Sequence, residues 1–574
     1  MKNIYYKLFI FSTILFFSSC ETIDLDQTRD DSQASPDLYN PYFAFNYIQL
    51  ELADFVDSGN SFTQAVTRQM AMTGGDTYQN AFEPVNFDGN WTTAYGILNA
   101  IKVVEAKAPN EKFILGSSKV IKAYVLMSLV DLYGDVPLSE ALDPSILNPK
   151  FDSGVDVYKK AIASLDEGLA ILGGDTGPTT NVIDLYYNKD KAKWITLAKT
   201  LKLKLYNTAR LAGSDLGVDI AQEISAIITA GDIIDTPTED FAFKYGTNRN
   251  VPNSRHPLYN DQYELGGGAY IGNYMIWAMT IEKGKGADLF FDPRSLFYFW
   301  RQGPIPINDT NAIPGRTRPT HYNNNEYNSF FDSDNIRTPY TISNWIGTAT
   351  IPTGGYLGRD HGNSTGIPPD LDTRAVAGLY PIGGKFEYNT GKTGSVQHSG
   401  TDGALGAGIM PMLLSSYVQF MKAEAILKLG ISGNAKTELL GAIEKSIDKV
   451  TTFPLGTGNN TPLTPTNLTN IATKKANYLT FISTEYDALV NDDQRLELIM
   501  KEYYLAAWGN GIEVYNNYRR TGYPSNFQPT LELNSGPFYN AALYPANAVS
   551  NNPNTPTNNR TRRVFWDKAA LDLH

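Results

Sequence analysis

The chain of 574 residues holds a single cysteine, Cys20, and only five histidines, at positions 256, 321, 361, 398 and 574. One cysteine excludes an internal disulfide and any CxxC metal site, and no two histidines stand at the i, i+4 spacing that brings two imidazoles to one helical face around zinc. No Walker loop or dinucleotide fingerprint is present. Positive charge is also in deficit: 48 Lys and Arg against 60 Asp and Glu leave a formal charge of −12. An acidic chain repels a phosphate backbone, which excludes the usual nucleic-acid partner. What the chain has instead is apolar and aromatic content, 42% hydrophobic with 35 Tyr, 27 Phe and 7 Trp. That is enough for a large core held by packing alone. Tyrosine, half apolar and half wet, serves helix packing and also surfaces that stack flat polar rings. The length allows three or four domains or one large body of packed helices.

The first residues read as a processing segment. Lys2 and Lys7 supply positive charge, Leu8 to Phe17 is a ten-residue apolar run too short to span a membrane, and Ser18-Ser19 precede Cys20. This arrangement resembles a bacterial lipoprotein signal over 1–19, with Cys20 as the lipid-bearing first residue of the mature chain. Residues 20–41 follow as a tether rich in Asp and Glu. Acidic residues just behind such a cysteine resemble the export tag that sends Bacteroidetes lipoproteins to the cell surface.

Helical periodicity dominates both ends of the mature chain. Tyr158, Ile162, Leu165, Leu169 and Leu172 recur at spacings of 4, 3, 4 and 3, behind Asp152-Ser153 and before Gly173-Gly174. Trp194, Ala198, Leu201 and Leu205 form a second stripe, and Leu440, Ile443, Ile447 and Val450 a third. Further helices are expected near 117–133, 412–429 and 492–508. Between about 245 and 410 Gly, Pro, Asn and Thr rise, and the spacing predicts mostly loop with a short strand at Phe297–Trp300. Gly456 to Asn470 reads as a smaller loop.

Catalytic signatures are weak. Gly362-Asn363-Ser364-Thr365-Gly366 matches the G-x-S-x-G elbow, yet the helix the elbow needs is blocked by Pro368-Pro369. Asp332-Ser333-Asp334-Asn335 lacks the glycine and distal glutamate of a calcium loop and reads as a solvated turn. Neither a catalytic residue, a metal nor a cofactor is expected.

Asp131-Leu132-Tyr133-Gly134-Asp135-Val136-Pro137-Leu138 closes a helix. Trp91, Tyr95, Ile97 and Asn99, then Lys193-Trp194 through Leu205, Asp292-Pro293-Arg294, Lys422-Ala423-Glu424-Ala425 and Trp508, Gly511, Glu513 and Tyr518-Arg519-Arg520-Thr521-Gly522-Tyr523-Pro524 follow in order along the chain. This series resembles the SusD/RagB family of Bacteroidetes outer-membrane lipoproteins. The resemblance implies a mainly α body, 42–574, on a scaffold of tetratricopeptide-like helix pairs, about 42–244 and 411–525, carrying a loop-rich ligand-binding region at about 245–410. It also implies a surface lipoprotein that captures oligosaccharides and delivers them to a TonB-dependent outer-membrane transporter, without catalysis. An oligopeptide ligand stays open, and a surface-anchored glycan hydrolase is the rival of a different class.

Sugar rings offer an apolar face and a hydroxyl rim, so their sites join aromatic platforms to planar polar side chains. Two loops have that composition. Thr73 to Asn90 supplies Asp76, Tyr78, Asn80 and Phe82, in a region that resembles where family members contact ligand; Tyr322 to Arg359 supplies Tyr327, Phe331, Trp345 and Tyr356. Trp345, isolated among polar residues, is the best single platform, whereas Trp91, Trp194 and Trp508 sit on helical stripes and are expected to fill the core.

Overall fold

The computed structural model describes residues 40–72, 74, 78, 80–174, 177, 181–266, 269–283, 291–302, 358–359, 361–362, 374–386, 398–460, 462–530, 532 and 535–569. Cys20 and the tether up to residue 39 lie outside them. The first described helix, α1 (Pro41–Val66), begins one residue inside the span read as tether. Asn40 caps it by accepting the Tyr42 amide at 2.8 Å, and Pro41 has the backbone angle a helical first turn needs.

Helices then follow in succession: α2 (Asp88–Lys107), α3 (Lys112–Tyr133), α4 (Gly154–Gly173), α5 (Lys191–Thr208) and α6 (Ile220–Ala230). After the middle region come α7 (Ser415–Leu429), α8 (Ala435–Thr451), α9 (Pro465–Ala488), α10 (Asp492–Ala506) and α11 (Gly511–Thr521). Consecutive helices pack on one another, α1 with α2, α3 with α4, α5 with α6 and α7 with α8, and α11 returns to α1. The fold is mainly α on tetratricopeptide-like helix pairs. Helix starts follow capping chemistry: Ser153, Asp190, Asn434, Asn491 and Asn510 each accept an amide of the first turn. α3 is long and apolar enough to cross a membrane, but its window is 83% buried, as befits a central core helix. Its close contact with α4 rests on Gly116, where an added Cβ would lie 2.6 Å from Leu172.

Two sequence expectations change. The supposed loop 456–470 ends in a helix start: Thr464 accepts the Asn467 amide at 3.2 Å and Pro465 opens α9, whose few buried residues, Ile471, Tyr478 and Ile482, left only a faint stripe. Only Phe299–Trp300 of the expected strand is extended, pairing with Val376–Ala377. Ser295–Tyr298 is a helical turn, begun where the Arg294 amide and the Ser295 hydroxyl bond back to Asp292. Described parts of the 245–410 region enter the core, with Tyr259, Tyr274, Phe297, Tyr298 and Tyr380 all buried.

The motifs that carry the family resemblance meet in this core as charge networks. Asp131 accepts from Tyr158, from Trp566 at 3.0 Å and from Asn516 at 2.7 Å, while its carbonyl takes the Arg519 guanidinium at 2.5 Å. Gly134 closes α3 at φ +81°, and Asp135 accepts the Gly154 amide at 2.8 Å, opening α4. Glu424 is held by Arg520 at 2.7 and 2.9 Å and by Arg210 at 2.7 Å. Burial by itself would push this carboxyl up; the two arginines bring it down to about 2. Arg294 binds Asp292 at 2.6 Å and Glu502 at 3.3 Å.

Candidate functional site

Two-residue strands β1 (Met70–Ala71) and β3 (Tyr270–Ile271) form an antiparallel pair, numbered with β2 (Phe241–Lys244) between them in the chain. The segment Arg359–Gly362 is stitched to the same base. Asn273 N–H donates to the Arg359 carbonyl at 2.8 Å, Arg359 N–H to Ile271 at 3.0 Å, and Gly362 N–H to Met72 at 2.8 Å. Such close approach needs Gly272, since an added Cβ there would stand 2.1 Å from the Arg68 carbonyl. Met72, just before the loop Thr73–Asn90, and Arg359, the last residue of Tyr322–Arg359, both bond to this base. Two positions far apart in the chain therefore meet through backbone pairing.

Of the residues singled out in the sequence, Asp76, Tyr327, Phe331, Trp345 and Tyr356 lie outside the described residues, as does Ser364. Tyr78 is buried at 9% exposure, its hydroxyl 3.5 Å from His361 Nε2 and its ring edge-on to that imidazole. Asn80 is exposed, and its carbonyl accepts Asn86 Nδ2 at 3.0 Å. Phe82, a candidate ligand contact in the sequence, is buried. Its ring packs in T-shaped contacts with Phe62 at 4.9 Å and Tyr539 at 5.2 Å, and it lines a 380 Å³ cavity with Asn86 and Asn90. Trp194 and Trp508 are buried as expected; Trp91 is half-buried among Tyr95, Tyr133, Phe151 and Tyr544.

A second cavity, of about 410 Å³, lies beside the β1–β3 pair, within the size range of small-ligand pockets. Its walls come from α1 (Asp57, Gln64), from the strands (Met70, Tyr270), from His256 to Asp261, and from Trp508. Tyr270 is backed by Arg359 at 4.4 Å and Arg374 at 5.0 Å from its ring centre, which fixes the ring; neither arginine lines the cavity.

Asp57 is partly buried with no cation or hydrogen-bond donor on its carboxylate among the described residues, and burial together with the charge of Asp54 pushes it up to about 6. Asp261 is also raised by burial, against the opposing pull of Arg374 and the Ala269 amide, and its Oδ2 is buried without a partner. His256 accepts the Leu258 amide on Nδ1 at 3.2 Å, which leaves the proton on Nε2, and burial keeps the ring neutral with its pKa down to about 3. Gln64 is 9% exposed, and its amide makes no hydrogen bond among the described residues.

These residues escaped sequence reading because they come from five separate stretches. One local signal existed: Asp57, Asn60 and Gln64 fall at helical spacing, which puts three polar groups on one face of α1. Asn60 is spent on structure, donating to the Gly509 carbonyl at 3.0 Å and accepting the Gly511 amide at 2.9 Å.

Residues 34–311 match the family model described as starch-binding and associating with the outer membrane, and residues 402–560 match the SusD and RagB outer-membrane lipoprotein model. The chain belongs to the SusD/RagB-like family. Solved structures agree in fold. A SusD homolog from Bacteroides fragilis NCTC 9343 has a TM-score of 0.61 at 17% identity, over 91% of this chain and 99% of that one. A chitin-binding SusD homolog from Flavobacterium johnsoniae gives 0.61 at 16%, over 92% and 98%. A SusD/RagB family protein from Bacteroides thetaiotaomicron gives 0.60 at 17%, over 91% and 99%. No curated protein matches the chain. In this SusD-like chain the residues that carried the resemblance form internal ion-pair networks.

Proposed function

We propose that this protein is a cell-surface lipoprotein, anchored to the outer membrane through Cys20, that captures oligosaccharides without cleaving them and passes them to a TonB-dependent transporter. The observation that carries this reading is the shared base. Met72 and Arg359, which adjoin the two candidate ligand loops, are tied to the β1–β3 pair and the Arg359–Gly362 segment, beside a 410 Å³ cavity lined by apolar and polar side chains. The family models, one of them described as starch-binding, and the chitin-binding relative from Flavobacterium johnsoniae support a glycan as the ligand. In this reading Trp345, Tyr327, Phe331 and Tyr356 supply stacking surfaces, and Asp76, Tyr78 and Asn80 the polar rim. An open site of several moderate contacts suits a protein that must release what it holds.

The test is calorimetric binding of the purified protein to a panel of oligosaccharides and oligopeptides, with product analysis on every hit. The expected result is a glycan bound intact, with affinity at least tenfold lower in Trp345→Ala. Peptide binding in place of sugar would assign the ligand to the other class, and released sugar would make the protein a hydrolase.

A further inference from the structure

We infer that the cavity beside β1 and β3 receives a neutral or amine-bearing segment of a saccharide and turns away a carboxylated or sulfated one, with Asp57, Asp261, Gln64 and His256 as the discriminating residues. This rests on the glycan reading above and extends it to the charge of the ligand.

The first argument is the sign of the lining. Asp57 and Asp261 both line the cavity, Asp54 stands close enough to raise Asp57, and among the described residues no Lys or Arg side chain is part of the wall. His256 adds no positive charge, since burial holds its ring neutral. Arg374 acts on Asp261 but is committed to the ring of Tyr270. An anionic sugar placed here would lose its hydration beside two carboxylates, whereas a hydroxyl or ammonium group would meet acceptors.

The second argument is unspent hydrogen-bonding capacity. The Gln64 amide, nine-tenths buried, has no partner among the described residues, and His256 offers Nε2–H because Nδ1 is already accepting from Leu258. Among the described residues Asp57 has no donor on its carboxylate. Elsewhere in the molecule buried carboxylates such as Glu424 and Glu502 are fully paired. Donors and acceptors side by side, with Trp508, Ile382 and Met410 as apolar walls, match the alternating hydroxyl and C–H surfaces of an uncharged sugar.

The test uses the full chain at pH 7.5 and paired probes that carry or lack a charged or amine group. These are oligogalacturonate tetrasaccharide against its methyl ester, chitin tetrasaccharide against chitosan tetrasaccharide, and the peptides Ala-Lys-Ala-Lys against Ala-Glu-Ala-Glu. Binding is read by calorimetry in the native protein, in Asp57→Asn with Asp261→Asn, and in Gln64→Ala, each checked for an unchanged circular dichroism spectrum. The methyl ester is expected to bind at least tenfold more tightly than the free acid, and chitosan at least as tightly as chitin. In the double variant the tenfold gap closes to within threefold, and Gln64→Ala weakens the uncharged probes about fivefold. Saccharides that bind without regard to charge, or a gap that persists in the folded double variant, overturn the inference while the glycan reading stands. Peptides sorted by charge with no saccharide bound overturn the glycan reading but uphold the selection by the cavity. Absence of any binding overturns both.

Discussion

Glu424 and Asp57 are both carboxylates withdrawn from water, and they sit at opposite ends of a scale. Glu424, between α7 and α11, is gripped by Arg520 and Arg210 and titrates near 2; Asp57, on α1 beside the cavity, has no cation and titrates near 6. Glu424 is satisfied by two cations, and Asp57 has none among the described residues. An unpaired carboxylate costs stability, so the contrast marks Asp57 as a residue that pairing does not explain.

The largest effect that would break this contrast is in the scaffold. Glu424→Ala leaves two buried guanidinium groups facing each other and is expected to cost about 3–5 kcal/mol in urea unfolding. Because its carboxyl lies below the ordinary 4.5 in the folded chain, the stability Glu424 contributes is present above about pH 4.5 and is lost as pH falls toward 2. A mutational loss that stayed constant across that window would contradict the pairing.

The cavity should respond in the opposite sense. Asp57 has its pKa raised from 3.8 to about 6, so its ionisation costs stability as pH rises through that interval. Asp57→Asn is expected to stabilise the protein by about 1–2 kcal/mol at pH 8, discounted from the full shift because the side chain is partly exposed, and by nothing below about pH 4. The facing groups, Asp54, Asp261 and neutral His256, supply no cation to cancel it. A destabilised Asp57→Asn at pH 8 would place this residue with the scaffold.

The smallest effect concerns neither charge. Thr464→Ala removes the cap of α9 and should cost about 1 kcal/mol, with ligand binding unchanged, since α9 is remote from the cavity walls. A larger loss would show that this sparsely buried helix is coupled to the core more tightly than Ile471, Tyr478 and Ile482 suggest.

Legibility in the sequence followed the range of the interactions. Asp131, Glu424, Arg519 and Arg520 were readable as family landmarks because each belongs to a motif of neighbours, and the stripe from Tyr158 to Leu172 declared its helix through a periodic apolar face. α1 passed unread because its start lies against the acidic tether and its inward face carries Asp57, Asn60 and Gln64 among the apolar residues. Phe82 shared the composition of an exposed loop aromatic, and only its contacts with Phe62 and Tyr539 reveal it as packing.

The sequence by itself determined the family, the mainly α class and most helix positions, since these depend on local propensity, capping and short-range periodicity. It also named two loops rich in aromatic and polar side chains. That Met72 and Arg359 meet on one base, that Trp508 and His256 line the same cavity as Asp57, and that Glu424 is paired while Asp57 is not among the described residues were decided by tertiary structure. Those relations join residues hundreds of positions apart, and charge pairing and desolvation depend on distance in space, which no spacing along the chain records.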